Sequence, residues 1–166
     1  AAVALILSIA PENKLRGMLF WLMGDLSHAA SFWPALLLLA FGLLAALPLS
    51  RDLNLLARGD LTARALGVPV SRLRGGVYVL AALATAAAVT TTGSVGFVGL
   101  IVPHLVRLAI GNDQRVLLPA AALAGGALLT LADTLARTVV APQQLPVGVL
   151  TALIGVPVFL YLLNRK

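Results

Sequence analysis

The chain has 166 residues, of which 60% are hydrophobic and only 11% are charged, and its mean hydropathy is +1.01. A soluble domain has about half apolar and about a quarter charged residues, so this composition excludes a soluble domain and indicates contact with membrane lipid. The absence of cysteine excludes disulfides and thiolate metal sites, and the basic residues behind the net charge of +6 lie between apolar runs, which favours membrane orientation over nucleic-acid binding. We therefore expect an all-α, polytopic transmembrane helix bundle, with about five spanning helices plus short interfacial and cytoplasmic coupling helices.

The first 26 residues predict one truncated span and one interfacial helix. Residues 1–10 are apolar but cover about half the length needed to cross a hydrocarbon core, so we expect the tail of a helix that begins upstream. Residues 15–26 mix apolar and charged side chains, and Trp21 and Trp33 lie beside membrane ends, where amphipathic rings prefer to sit. This pattern predicts an interfacial helix. His28 has no second ligand nearby, so we interpret it as solvated or capping and not as a metal ligand.

A spanning helix and a charged insert are predicted next. Residues 34–50 are apolar and read as one spanning helix, and residues 51–75 carry five of the twelve basic residues against two aspartates. By the positive-inside rule this insert is cytoplasmic. Its basic residues are Arg51, Arg58, Arg64, Arg72 and Arg74.

The insert contains a short helix, predicted from Asp60 to Leu66 and closed by Gly67 and Pro69. Asp60 is placed as the N-cap. Its small apolar surface is predicted from Ala63, Ala65 and Leu66. A solvated connector would explain the charges, although a connector could be far shorter.

Glycines and a proline interrupt the apolar sequence after an outward helix over residues 76–89. Thr90, Thr91 and Thr92 precede the interruption, and their hydroxyls can bond back to helix carbonyls or face a pathway. Two interpretations of the interruption remain open: close packing of small residues between helices, or a discontinuous helix beside a translocation pathway. The residues concerned are Gly93, Gly96, Gly99 and Pro103.

The remaining sequence predicts an inward, an outward and a final inward segment. Residues 97–110 are short for a span, and residues 120–139 run outward, with small residues at 124–127 for close helix contact. Asp133 and Arg137 lie four apart on one helix face and could form an intrahelical pair. Residues 147–163 then return to the basic C-terminus, which agrees with a cytoplasmic insert.

The sequence does not predict an enzyme or a resident cofactor. His104 follows Pro103 without a partner histidine, so we expect hydrogen bonding within the bundle and not metal or haem ligation. No GxxxxGK[ST], HExxH or GxSxG motif occurs, so the chain cannot supply its own ATP hydrolysis.

Several motifs occur in one order: GSVGFVGLIVPHLVRL, GNDQR, LLP, LADTLAR and LPVGVLTALIGVPVFL. Together they resemble the FecCD family of ABC importer permeases, which carry ferric siderophores, haem or cobalamin across the bacterial inner membrane. Members of that family are longer, so the resemblance implies that residues 1–166 form the C-terminal half of a permease. Gln114 stands where the family often has histidine, and Gln144 where it often has glutamate.

The resemblance also implies roles and partners. The loop 51–75 would dock in the ATP-binding subunit, and the family usually has Gly-Glu where this chain has Gly59-Asp60. Arg137 matches an arginine that meets an acidic residue of the periplasmic substrate-binding protein. A second permease subunit, either an identical copy or a homologue, would complete the pathway. The coupling residues carried over are Asp60, Ala63, Arg64, Leu66 and Gly67.

Two other function classes stay open. A secondary transporter driven by an ion gradient would need a carboxylate within a span, and Asp133 is the candidate. A non-transporting membrane scaffold would leave the cytoplasmic loop and the glycine interruptions unexplained.

Overall fold

The computed structural model describes residues 8–26, 33–141 and 144–164, and the elements with defined bounds within these ranges are all α-helices. The all-α prediction is confirmed. The predicted truncated helix at residues 1–10 falls largely, and His28 wholly, outside the described residues. The helices are α1 (Glu12–Leu22), α2 (Trp33–Ala46), α3 (Ser50–Leu56), α4 (Asp60–Ala65), α5 (Val70–Thr92), α6 (Val98–Ile110), α7 (Gln114–Thr138) and α8 (Val147–Asn164).

In the described part of the chain, three helices are long and apolar enough to cross a membrane, namely α5, α7 and α8. The helices α2 and α3 are long and apolar enough for a fourth span only when they are taken together. This pair is bent by 69° at the turn between them. The helix predicted over residues 34–50 therefore ends earlier than expected, at Ala46, and a turn separates it from α3. Pro48 lies in the turn between the two helices, where its missing amide and fixed φ disfavour a continuous helix.

The helix α6 has only 13 residues, which confirms the predicted short segment. At 1.5 Å per residue it is about 20 Å long, whereas a hydrocarbon core is about 30 Å thick. It packs against both α7 and α8, and α2 packs separately against α5. Two larger helices thus flank the short apolar helix.

The insert at residues 51–75 forms its own small core together with the start of α5. Ala63, Val68, Val70 and Leu73 are buried there, with Leu53, Leu55 and Leu56 packed against them. These residues come from α3, α4, the turn that contains Val68 and the first turn of α5, so the insert is attached to the start of the long helix α5. It is folded structure, and not a solvated connector.

The end of α1 lies against the turn that follows α5. The backbone N–H of Asp25 donates to the carbonyl of Thr92 at 2.9 Å, and the hydroxyl of Ser94 donates to the carbonyl of Leu22. Trp21 is 45% exposed and Trp33 is 60% exposed. A helix was thus predicted at nearly the right place, although its bounds are Glu12–Leu22 and not residues 15–26.

Candidate functional site

The helix α4 begins with a glycine and not with the predicted aspartate cap. Gly59 is the N-cap residue, with φ +114°, and Asp60 is the first helical residue. Instead of capping, the Asp60 carboxylate accepts a hydrogen bond from Arg74 Nη2 at 2.6 Å. Both side chains are substantially exposed, so this pair adds less than about 1 kcal/mol of stability and mainly orients α4 on the start of α5.

The apolar surface of α4 also differs from the predicted one. Ala63 is fully buried in the core of the insert, whereas Leu61 is 86% and Leu66 is 60% exposed. Sequence reasoning missed Leu61, although positions 61 and 63 lie about 200° apart around a helix and so face opposite sides. The burial of Ala63 therefore anchors α4, and Leu61 and Leu66 are the large apolar side chains that it presents outward.

The other predicted coupling residues lie around this surface. Arg64 is exposed in the last turn of α4, and Gly67 follows with φ +82°, a left-handed conformation that favours glycine. Gly67 confirms the predicted helix stop, and it lies two residues after Ala65, where α4 ends. The insert thus exposes Leu61, Leu66 and Arg64, while the buried side chain of Ala63 packs α4 against the rest of the insert.

A hydrogen-bonded junction ties the insert to α7. Asn54 Nδ2 donates to Asp113 Oδ1 at 2.8 Å, and Asn54 Oδ1 accepts from the backbone N–H of Gln114 at 2.9 Å. Asp113 also caps α7 by accepting from the backbone N–H of Arg115 at 3.0 Å. The hydrogen bond from Asn54, followed by that from Arg115, lowers the pKa of the Asp113 carboxyl. Sequence reasoning missed Asn54, since no local pattern shows a contact across 59 residues.

A polar cavity of about 550 Å³ opens beside this junction. It lies between the insert and the turn from α6 to α7. Its lining residues are Asn54, Ala57, Arg58, Arg107, Asn112, Asp113 and Gln114. Two arginines and one carboxylate therefore face the same concave surface beside the insert.

At the other end of α5, the glycine-containing stretch predicted as an interruption does separate two helices. The helix α5 ends at Thr92, and α6 begins at Val98 after Phe97, which has φ +66°. The threonine hydroxyls before the break bond back to helix carbonyls of Ala86, Ala87 and Ala88. These bonds favour the structural interpretation of the threonines.

The predicted pathway residues fall into different environments. Gly93 is buried, and a Cβ there would lie 2.0 Å from the carbonyl oxygen of Trp21. Gly96 and Gly99 are exposed, with no other atoms within 4 Å of an added Cβ, and Pro103 is half-buried inside α6. Close packing therefore accounts for Gly93, whereas it does not account for Gly96 or Gly99.

Gly96 lines a largely apolar cavity of about 660 Å³ at this end of the helices. Gly148 lines it too, and a Cβ on Gly148 would lie 2.0 Å from the carbonyl oxygen of Met23. A Cβ on Gly155 would lie 2.5 Å from Phe97 Cβ. Sequence reasoning missed both of these α8 glycines. It predicted close contacts at residues 124–127, where a Cβ on Gly125 would lie 3.9 Å from Val98 Cγ1 and a Cβ on Gly126 would meet nothing within 4 Å.

Asp133 and Arg137 form the intrahelical pair that their spacing allows. Arg137 Nε donates to Asp133 Oδ2 at 2.8 Å, and the arginine side chain is 41% exposed against 24% for the aspartate. The guanidinium is thus oriented by its own helix while part of it remains accessible.

The two histidines were not expected to bind a metal, and His28 lies outside the described residues. His104 is exposed on α6. In residues 8–26, 33–141 and 144–164, no group of three potential ligands among His, Cys, Asp and Glu could hold a metal ion.

Comparison with known proteins places these features in context. The sequence model of the FecCD transport family matches residues 1–165. The chain is 46% identical to the hemin transport system permease protein HmuU of Yersinia pestis, covering 100% of this chain and 50% of that permease. It is also 46% identical to the cobalamin import system permease protein BtuC of Halobacterium salinarum, covering 99% of this chain and 45% of that protein.

A solved structure gives the same result at the level of the fold. It shows an inward-facing conformation of a metal-chelate type ABC transporter, and it superposes with a TM-score of 0.83 at 38% identity. The superposition covers 98% of this chain and 54% of that one. The chain therefore spans about half the length of the relatives that it matches.

Proposed function

The chain belongs to the FecCD transport family, and we propose on that basis that it forms the C-terminal half of a permease subunit in an ATP-driven importer. The substrate class is haem, cobalamin or a ferric chelate. The location is the bacterial inner membrane, with the helices α5, α7 and α8 among its spans. ATP hydrolysis belongs to a separate ATP-binding subunit, and a second permease subunit, identical or homologous, faces this one across the pathway.

One observation carries the proposal. Permeases named for hemin transport, for cobalamin import and for Fe(3+) dicitrate transport each match over 93% or more of this chain, at 42–46% identity. Relatives with such different cargo share this sequence, so what they share is a transport framework. The same breadth is the reason why the proposal includes three kinds of substrate.

The insert is the proposed contact with the ATP-binding subunit. Leu61 and Leu66 are exposed apolar side chains on a small folded unit, next to the charges of Arg64 and of the Asp60–Arg74 pair. Apolar anchors surrounded by charged groups suit docking into a groove, where the charges steer the approach. Ala63 and Gly67 contribute by holding and ending α4, and not by direct contact.

The opposite end of the helices is the proposed outer face. The helix α7 has 25 residues and is therefore about 37 Å long, enough to cross a hydrocarbon core of about 30 Å. Its first residue contacts the insert through Asn54, and Arg137 is in its last turn. Arg137 is thus the proposed docking residue for the periplasmic substrate-binding protein, and Gly96, Gly99 and Pro103 are the proposed pathway residues.

The two other function classes make different predictions. A secondary transporter would use Asp133, the carboxylate within the long apolar helices, as its proton or cation site. The ion pair with Arg137 at 2.8 Å argues against this use, because the guanidinium already neutralises the carboxylate. A scaffold would give no transport under any condition.

Reconstituted uptake tests the proposal. The full-length permease is placed in liposomes with its ATP-binding subunit and binding protein, and uptake of hemin, cobalamin and ferric dicitrate is measured. We expect uptake of at least one of them with ATP, and none with a hydrolysis-deficient ATP-binding subunit. Uptake driven by a proton gradient without ATP would overturn the proposal in favour of a secondary transporter, and absence of uptake would favour a scaffold.

A further inference from the structure

The insert contacts the cytoplasmic ends of two long helices by different means. It contacts α5 through the buried cluster of Ala63, Val70 and Leu73, which are close to one another in the sequence. It holds α7 through Asn54, whose side chain reaches a segment about 60 residues further along the sequence. The helices α3 and α7 also pack against each other, and the side-chain hydrogen bonds described between them are those of Asn54.

Asn54 supplies part of the cap of α7 from another element. The first backbone N–H of α7, at Gln114, donates to Asn54 Oδ1, and the next, at Arg115, donates to Asp113 Oδ1. The first N–H groups of a helix have no partner within the helix, so they need acceptors of this kind. Asn54 Nδ2 also donates to Asp113, which makes one closed network of three hydrogen bonds.

The geometry points to Asn54 as a positioning residue that carries movement of the insert to α7. The inference rests on the proposed function, since it names the link through which docking of the ATP-binding subunit would move a spanning helix. The Asn54 amide nitrogen donates to a carboxylate and its amide oxygen accepts from a backbone N–H, so the side chain has one orientation that satisfies both. A displacement of α3 then pulls directly on the first turn of α7.

The network allows an exchange experiment. Asn54→Asp sets two carboxylates against each other and removes the donor to Asp113. Adding Asp113→Asn restores a donor and an acceptor at the contact between positions 54 and 113, with their direction reversed, and keeps the acceptor for the Gln114 N–H. The Arg115 N–H loses its acceptor, because Asp113 Oδ1 accepts from both Asn54 and Arg115. Asn54→Leu removes both hydrogen bonds at nearly unchanged volume. Asn112→Leu is the matched control, because Asn112 lies in the same turn and joins neither hydrogen bond.

The measurement is substrate imported per ATP hydrolysed, using the full-length permease with its ATP-binding subunit and binding protein in liposomes. We expect Asn54→Leu and Asn54→Asp to lower this ratio by about tenfold, the change that loss of a charge-assisted hydrogen bond produces. Membrane insertion and co-purification of the ATP-binding subunit should stay normal. The double exchange restores the contact between positions 54 and 113 without the acceptor for Arg115, so it should recover part of the ratio, and Asn112→Leu should leave it unchanged.

Each outcome decides the inference. An unchanged ratio in Asn54→Leu, an equal loss in Asn112→Leu, or no recovery in an inserted double exchange would overturn it. If Asn54→Leu does not insert, the comparison of Asn54→Asp with the double exchange gives the same decision. Failure of the wild-type importer to use ATP would instead overturn the proposed function, and this inference with it, so the two failures are distinguishable.

Discussion

Gly93→Ala is the most direct test of the close approach between α1 and the break after α5. The new Cβ would lie 2.0 Å from the carbonyl oxygen of Trp21, and Gly93 has φ +71° and ψ −163°, a backbone region that is almost confined to glycine. The backbone strain costs about 1–3 kcal/mol, and the overlap about 1–3 kcal/mol more. We therefore expect a loss of about 2–6 kcal/mol in total.

Gly99→Ala is the matched control, because Gly99 lies inside α6 and its added Cβ would meet nothing within 4 Å. Replacing a helical glycine with alanine stabilises by roughly 0.5–1 kcal/mol. The assay is thermal stability of the full-length permease in detergent, followed by the loss of its monodisperse chromatographic peak after heating. Gly93→Ala should melt well below the wild type, and Gly99→Ala at or slightly above it. Equal melting of Gly93→Ala and the wild type would refute the close approach to Trp21.

Three further predictions concern the insert, the outer face and pH. Leu61→Asp and Leu66→Asp should each weaken co-purification of the ATP-binding subunit several-fold, because an apolar anchor is replaced by a charge; normal co-purification would remove these leucines from the interface. Arg137→Glu should slow docking of the loaded binding protein, most at low salt where screening is weakest, and a salt-independent effect in binding kinetics would contradict an electrostatic role. Because the folded-state pKa of Asp113 is lowered, its stabilisation should be present above the ordinary carboxyl pKa and disappear as pH falls through the lowered value. Melting measured between neutral and acidic pH should therefore differ less between wild type and Asp113→Asn at low pH, and a constant difference would contradict this.

The sequence predicted the elements that depend on local chemistry. The length of the apolar runs predicts the long helices, the arginines predict the insert, and Gly67 predicts the end of α4. The positive φ of Gly93 and the break that follows it also agree with a local signal, since glycine tolerates that backbone region. These features need no knowledge of distant parts of the chain.

The errors concern contacts between distant segments. Asp60 has the chemistry of an N-cap, but Arg74 lies 14 residues away in sequence and takes its carboxylate, while Gly59 takes the cap position. Asn54 has no local signal at all, because its partners follow about 60 residues later. Gly148 has no room for a side chain, because the carbonyl oxygen of Met23, which follows α1, lies against it. The sequence of α8 alone does not predict that contact.

The helix α7 joins the two proposed contact regions physically. Its first turn is held by Asn54 and its last turn carries Arg137, so the described residues include one helix that reaches from the insert to the outer face. Over a length of about 35 Å, a tilt of about 5° moves the far end by about 3 Å, which is enough to break a hydrogen-bonded or ionic contact. Coupling between two binding sites is reciprocal, so a helix that lets the ATP-binding subunit alter docking at Arg137 must also let the docked protein alter engagement at the insert. Both effects should weaken together when Asn54 no longer holds α7, since the same two hydrogen bonds lie on the path in each direction.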